Sequence, residues 1–261
     1  MFDPNVPRDK TAIENFKLLF KANPNDFKSN DPELMEILQK YIFSDVFSTG
    51  DLTVKEREMI TVVCLTSIQC LPQLKAHLNG ALNAGNTPLE LREAIYTCFN
   101  FLGFPRTLNA LEVFNTVMKD RKINLPLESG KTIKDAERFN KGLEIQKPLF
   151  GDALNKMLAN VPGGMGDKMA QFTTETYFGD TFTRKFLDEK TRELINVVTL
   201  VALGNFQLLK PHLMSAMKLG NTKEKIAATL LQCAPYLGSA NAISSMLVLA
   251  EVTKDEKNKN Y

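Results

Sequence analysis

The chain has 261 residues, 44% of them AVILMFWYC and 24% charged. That is an ordinary globular composition, which excludes disorder as a description of the whole and fits one large domain or two small ones. Lys and Arg (32) nearly balance Asp and Glu (30), giving a net charge of +2 spread along the chain, so no basic face points to nucleic acid or to an anionic membrane.

Met1–Asn5 (MFDPN) carries neither a basic run nor an apolar core, so no secretory signal is read. The cysteines form no framework, which suits a reduced compartment, and a cytoplasmic location is expected. Helices are expected over residues 10–21 and 31–46. The next, over 53–68, opens on the capping box of Thr53 and Glu56 and turns almost wholly apolar. Further helices follow over 72–84, 88–102 and 106–118. Residues 120–130 read as a surface connection. The second part repeats the order, with helices over 134–146, 165–181, 188–203, 207–219, 223–237 and 241–252. Residues 254–261 are polar and read as a frayed tail. The apolar run 194–203 falls short of the roughly 18 residues a membrane span needs and contains Asn196. The fold class is all-α.

The chain contains one segment twice. At a constant offset of 135, FSDVFSTGDLTVKEREMI (43–60) matches FGDTFTRKFLDEKTRELI (178–195) at 8 of 18 positions, and HLNGALNAGNT (77–87) matches HLMSAMKLGNT (212–222) at 6 of 11. The ungapped window 43–103 against 178–238 has 22 identities in 61 positions, where chance gives roughly three or four. So long a period means tandem domains, expected at 1–125 and 126–261.

Both histidines occupy the same repeat position, 19 residues after a repeated Glu: Glu58–His77 and Glu193–His212. Antiparallel helices joined by a short turn can bring each pair together, a carboxylate orienting an imidazole able to exchange protons. The alternative is that each His is a satisfied packing residue. Cys70, Gln73 and His77 are spaced to share one helical face, and a thiol at a helix start sees the positive end of the dipole. Asn205 holds the Cys70 position in the second copy. Cys64, Cys98 and Cys233 lie in apolar runs and read as packing residues. No GxGxxG, Walker loop, HExxH or zinc-spaced Cys pair occurs, so no metal or organic cofactor is expected.

VKEREMITVVCL and KAHLNGALNAGNT, with EKTRELINVVTLVALG and KPHLMSAMKLGNT, resemble the carboxymuconolactone decarboxylase family, whose superfamily includes the AhpD-like alkylhydroperoxidases. The resemblance covers about residues 43–118 and 178–252. It implies an all-α domain that assembles into homo-oligomers, here a trimer of tandem chains. AhpD-like members carry Glu, eleven residues, Cys, two residues, Cys, three residues, His. This chain has Glu58, Cys70, Gln73 and His77, then Glu193, Asn205, Leu208 and His212. The second Cys is missing from both copies, so a Cys-x-x-Cys cycle has no counterpart. The decarboxylase branch needs no such pair. The resemblance implies cofactor-free loss of CO2 from a small unsaturated carboxy-lactone, with His77 delivering a proton, Glu58 orienting it, and Arg57 and Gln73 as substrate contacts. Glu193 and His212 form the equivalent site, where Pro211 is expected to kink the helix and leave one copy structural. Two other readings stand beside it: a thiol-dependent hydroperoxide reductase centred on Cys70, and a non-catalytic assembly protein on the same scaffold.

Overall fold

The computed structural model describes residues 8–26 and 29–259; the reading of residues 1–5 and the last two residues of the tail lie outside them. The first half contributes α1 (Arg8–Phe20), α2 (Pro32–Lys40), α3 (Val54–Ser67), α4 (Leu71–Asn83), α5 (Pro88–Leu102) and α6 (Phe104–Asp120). The second contributes α7 (Arg138–Phe150), α8 (Ala153–Leu158), α9 (Met165–Phe172), α10 (Glu189–Ala202), α11 (Phe206–Lys218), α12 (Lys223–Leu237) and α13 (Ser239–Lys259). Among the described residues every regular element is helical, and the fold is all-α. Helices α3 to α5 begin and end at the same repeat positions as α10 to α12.

The helix starts follow from capping chemistry. Thr53 and Thr87 form reciprocal capping boxes with Glu56 and Glu90, and Asp188 and Thr222 cap α10 and α12 through the amides of Thr191 and Lys225. Each supplies an acceptor to an amide that the first turn leaves unpaired. Gly103 and Gly238 end α5 and α12 at φ of +75° and +82°, a region that costs other residues steric strain.

Four stretches depart from the sequence reading. The helices expected over 31–46 and 165–181 change character midway, running from α2 and α9 into π-helical segments, Tyr41–Val46 and Thr173–Phe182. A wider turn shifts every following side chain around the axis, and apolar spacing gives no warning of it. In the second half, α7 crosses this segment backbone to backbone at Gly142 and Gly179, where a Cβ would collide with the carbonyls of Thr174 and Arg138. The short α8 lacks any long apolar period. The tail expected to fray is helical to Lys259, because Lys and Glu are good helix formers.

The two halves share a core. Val63 and Cys64 of α3 and Ala94 and Cys98 of α5 pack in one cluster with Val197, Val198 and Leu200 of α10 and with Ile226, Leu230 and Cys233 of α12. Buried arginines lock the exchange. Arg192 of α10 donates to Glu93 Oε2 (3.1 Å) and Thr97 Oγ1 (2.9 Å) of α5, and Arg57 of α3 donates to Gln232 Oε1 of α12 at 3.0 Å. Glu93 also takes a two-pronged contact from Arg184, at 2.7 and 2.9 Å, and one from Arg92 at 3.0 Å. No helix among the described residues is long and apolar enough to cross a membrane.

Burial works against the Glu93 charge, but the hydrogen bonds and charges of Arg184, Arg192 and Arg92 outweigh it and hold the carboxyl below its usual value. A carboxylate depressed in the folded state stabilises above its unfolded pKa, and that contribution is lost as pH falls through the folded value. Glu93→Gln strands Arg192 in the interior and is expected to cost about 3–5 kcal/mol at neutral pH. The gap to wild type should narrow below about pH 4, measured by chemical denaturation across that range.

Candidate functional site

In each half a two-helix hairpin carries the site. The first helix is buried by neighbours on all sides, and Glu58 and Glu193 sit in its N-terminal half with no exposed surface. The second helix runs back along it after a three-residue turn, bringing His77 and His212, each 8% exposed, against those carboxylates. His77 Nδ1 lies 3.0 Å from Glu58 Oε2, and His212 Nδ1 lies 2.7 Å from Glu193 Oε1. With the glutamate as carboxylate, Nδ1 carries the proton and Nε2 is left for a ligand.

The surroundings differ between the copies. Glu193 Oε2 accepts from Asn196 Nδ2 at 3.0 Å and from the Tyr177 hydroxyl at 3.4 Å. Glu58 Oε1 is buried without a partner. Tyr177 rises from the π-helical segment, and its repeat equivalent is Ile42. The first site has its tyrosine from elsewhere: Tyr236 of α12, in the other half, meets the His77 ring edge-on at 5.6 Å. Burial, reinforced by the nearby Glu58 and Glu193 charges, pushes the Tyr236 and Tyr177 hydroxyls well above their usual pKa, so both stay protonated; Tyr177 donates to Glu193, while the Tyr236 hydroxyl is buried without a partner. Phe101 of α5 does for His212 what Tyr236 does for His77, at 5.3 Å and perpendicular. The last residues of α1 and α7, Phe20 and Phe150, pack on the same two imidazoles at 5.5 and 5.0 Å.

Tyr177, Tyr236, Asn196 and Phe101 thus surround the candidate pairs, and sequence reasoning missed them. One signal was present: Phe101 and Tyr236 are aromatic at matched repeat positions, two residues before a shared Gly.

The other residues that the sequence singled out have hydrogen-bond partners outside the pairs. The Arg57 guanidinium is 1% exposed and spends its donors on the carbonyls of Val46, Thr49, Gly50 and Leu52 and on Gln232, leaving none for a substrate. Cys70 caps α4 and donates to Gln73 Oε1 at 2.9 Å. That places the thiol and the exposed Gln73 toward the head of α4, the thiol about 10 Å along the axis from His77. Asn205, its counterpart, caps α11 through the Leu208 amide. Pro211 lies in α11 without interrupting it.

Pro211 and His212 both line a cavity of about 340 Å³. Its walls are aromatic, with Phe99, Phe101, Phe150, Phe172, Tyr177 and Phe178. Among the described residues, no group of three or more His, Cys, Asp and Glu is placed to hold a metal ion. The arrangement is suited to holding a small ligand beside an imidazole whose far nitrogen is fixed by a buried carboxylate.

The sequence profile described as the carboxymuconolactone decarboxylase family matches residues 32–116 and again 167–251. A 4-carboxymuconolactone decarboxylase of Acinetobacter baylyi is 28% identical over 124 residues, covering 47% of this chain and 92% of that protein. An uncharacterized 15.0 kDa protein of Paracoccus denitrificans is 30% identical over 137 residues, covering 51% and 90%. Nitrosuccinic acid decarboxylase of Metarhizium robertsii is 27% identical over 85 residues, covering 33% of this chain and 59% of its own. A crystal structure from Burkholderia xenovorans, named for a gamma-carboxymuconolactone decarboxylase subunit, superposes with a TM-score of 0.54 at 15% identity, covering 95% of this chain and 99% of that one. It has the same fold.

The four cysteines are free, and burial separates their reactivities. It pushes the Cys98 thiol up to about 12 and Cys64 well above its usual value, the latter with help from Cys233. A thiol reagent added to the native protein is expected to label Cys70 alone in its fast phase, and Cys70→Ser to remove that phase. Peptide mapping after brief labelling checks this.

Proposed function

Because the chain belongs to the carboxymuconolactone decarboxylase family through both of its halves, we propose that it decarboxylates a small unsaturated carboxylic acid, with the Glu–His pair delivering the proton. The observation that carries this reading is the Glu193–His212 pair at the wall of an aromatic cavity. Two relatives are named as decarboxylases of different acids, which supports the reaction class more than any single substrate.

Loss of CO2 breaks the bond between the carboxyl carbon and its neighbour and leaves the electron pair on the substrate. A carbonyl conjugated to that carbon takes up the pair as an enolate, so the substrate is its own electron sink. A proton must then reach carbon. In the imidazolium form, with Nδ1–H on Glu193, His212 supplies it from Nε2–H, and the neutral imidazole left behind regains that proton from water once the product has gone. Glu193 holds Nδ1–H and so fixes ring plane and tautomer, while Asn196 and Tyr177 hold the carboxylate in turn. The aromatic wall favours the step in a second way, because a localised carboxylate loses more from poor solvation than the delocalised enolate it becomes. Glu58 and His77 offer the same pair in the first half.

CO2 release is to be followed with 4-carboxymuconolactone and a panel of other unsaturated acids. His212→Ala should lower kcat about 10²–10⁴-fold while circular dichroism stays unchanged, and Glu193→Gln should act in the same direction. The reading fails if no acid releases CO2, or if release is unmoved by both His212→Ala and His77→Ala.

A further inference from the structure

Resting on the decarboxylase reading above, we propose that the second-half site takes a largely apolar monocarboxylic acid, a single ring or short unsaturated chain in size whose one other polar group is the conjugated carbonyl that receives the electron pair, and rejects dicarboxylates. Three observations converge on this class. The cavity, at about 340 Å³, lies near the small end of ligand pockets. Its rim is apolar as well as its walls: Met157, Met169 and Phe172 line it and are 56%, 57% and 53% exposed. Among the described residues no Lys, Arg, Asp or Glu lines it.

The charges nearby are already committed. Glu193 is engaged by His212, Asn196 and Tyr177. Arg192, its neighbour in sequence, is fully buried and bound to Glu93, Thr97 and the carbonyls of Arg184 and Lys185. Lys218, on the same helix as His212, donates to the Leu149 carbonyl at 2.6 Å. One entering carboxylate can be matched by a proton on the imidazole. A second would lie in apolar surroundings near the Glu193 carboxylate with no cation to meet it. Carboxymuconolactone and nitrosuccinic acid, the acids in the relatives' names, each carry two carboxyl groups, so this cavity fits a different substrate class. Asn100 adds one element of selectivity. It lines the cavity, its amide donates to the Thr97 carbonyl at 3.2 Å, and its buried Oδ1 has no partner, so a ligand hydroxyl or N–H that reaches it would satisfy it.

Titration calorimetry with cinnamate and with muconate, an apolar monoacid and an unsaturated diacid, tests the class without turnover. Wild type should bind cinnamate at least tenfold more tightly than muconate. Leu154→Trp, which fills the cavity, should weaken cinnamate tenfold or more with the helical spectrum intact. Asn100→Arg, which places a cation on the wall, should move the preference toward muconate. Absence of cinnamate binding, equal or tighter muconate binding in wild type, or cinnamate binding untouched by Leu154→Trp overturns the proposal. Cinnamate held in the cavity by a protein that releases CO2 from no acid would refute the decarboxylase reading alone. His212-dependent release from diacids without cinnamate binding would refute the substrate class alone.

Discussion

A carboxylate removed from water must be met by donors or surrender its charge, and each half of this molecule is arranged around one such group. Glu58 and Glu193 stand on the most deeply buried helix of their halves, where no solvent can serve them. The imidazole of the returning helix therefore has to arrive at one height, which fixes the register of the hairpin. Space has to be cleared as well: a Cβ on Gly80 would sit 2.8 Å from Glu58 Oε2, so the residue three after His77 has to be as small as glycine there. The second copy has Ser215 at that place, fully buried. The same buried group that makes the hairpin specific also fixes the histidine ring, leaving only one ring nitrogen uncommitted.

Neither hairpin finishes its own site. The ring that meets His77 edge-on from α12 belongs to the second half, and the ring that meets His212 from α5 belongs to the first. The α5 and α12 helices are held across the molecule by shared apolar packing and by Arg57 and Arg192. The arginine contacts are built unequally. Arg192 meets the carboxylate of Glu93, whereas the repeat position of Glu93 facing Arg57 is Ala228, and backbone carbonyls take its place. Separation of the halves would expose a core cluster, strand two buried guanidinium groups and open both sites together. Site integrity and fold stability are thus coupled through the same contacts.

Much of this was legible in the sequence because it was carried by local rules. Capping residues marked the helix starts, and the duplicated 19-residue spacing singled out the two Glu–His pairs that the hairpins bring within hydrogen-bond distance. What stayed hidden had no local rule. The π-helical turn that delivers Tyr177 leaves the apolar period almost unchanged. Phe20 and Phe150 play one role but lie 130 residues apart, not 135, so an ungapped repeat cannot align them. Arg57 showed the opposite failure. Its position beside Glu58 suggested a substrate contact, but adjacent residues on a helix point about 100° apart, and Arg57 reaches away to Gln232 and the preceding loop. Pro211 suggested a damaged helix, yet missing one backbone donor near a cavity wall is tolerable where neighbours already hold the helix in place.

The asymmetry between the two sites follows from where each obtains its hydroxyl. In the second half Tyr177 comes from the same half as the Glu–His pair, and the opposite half supplies Phe101, a ring with no polar atom. In the first half the positions are reversed: Ile42 replaces the local tyrosine, and Tyr236 arrives from across the interface. Each site thus keeps one buried phenol near its carboxylate while placing it on a different side of the imidazole. Phenylalanine or isoleucine at either place would fill the space without burying a polar atom. The two hydroxyls are met differently: Tyr177 donates to Glu193 at 3.4 Å, whereas the Tyr236 hydroxyl, near Glu58, is buried without a partner, so the second half alone closes the hydrogen-bond chain from phenol through carboxylate to imidazole.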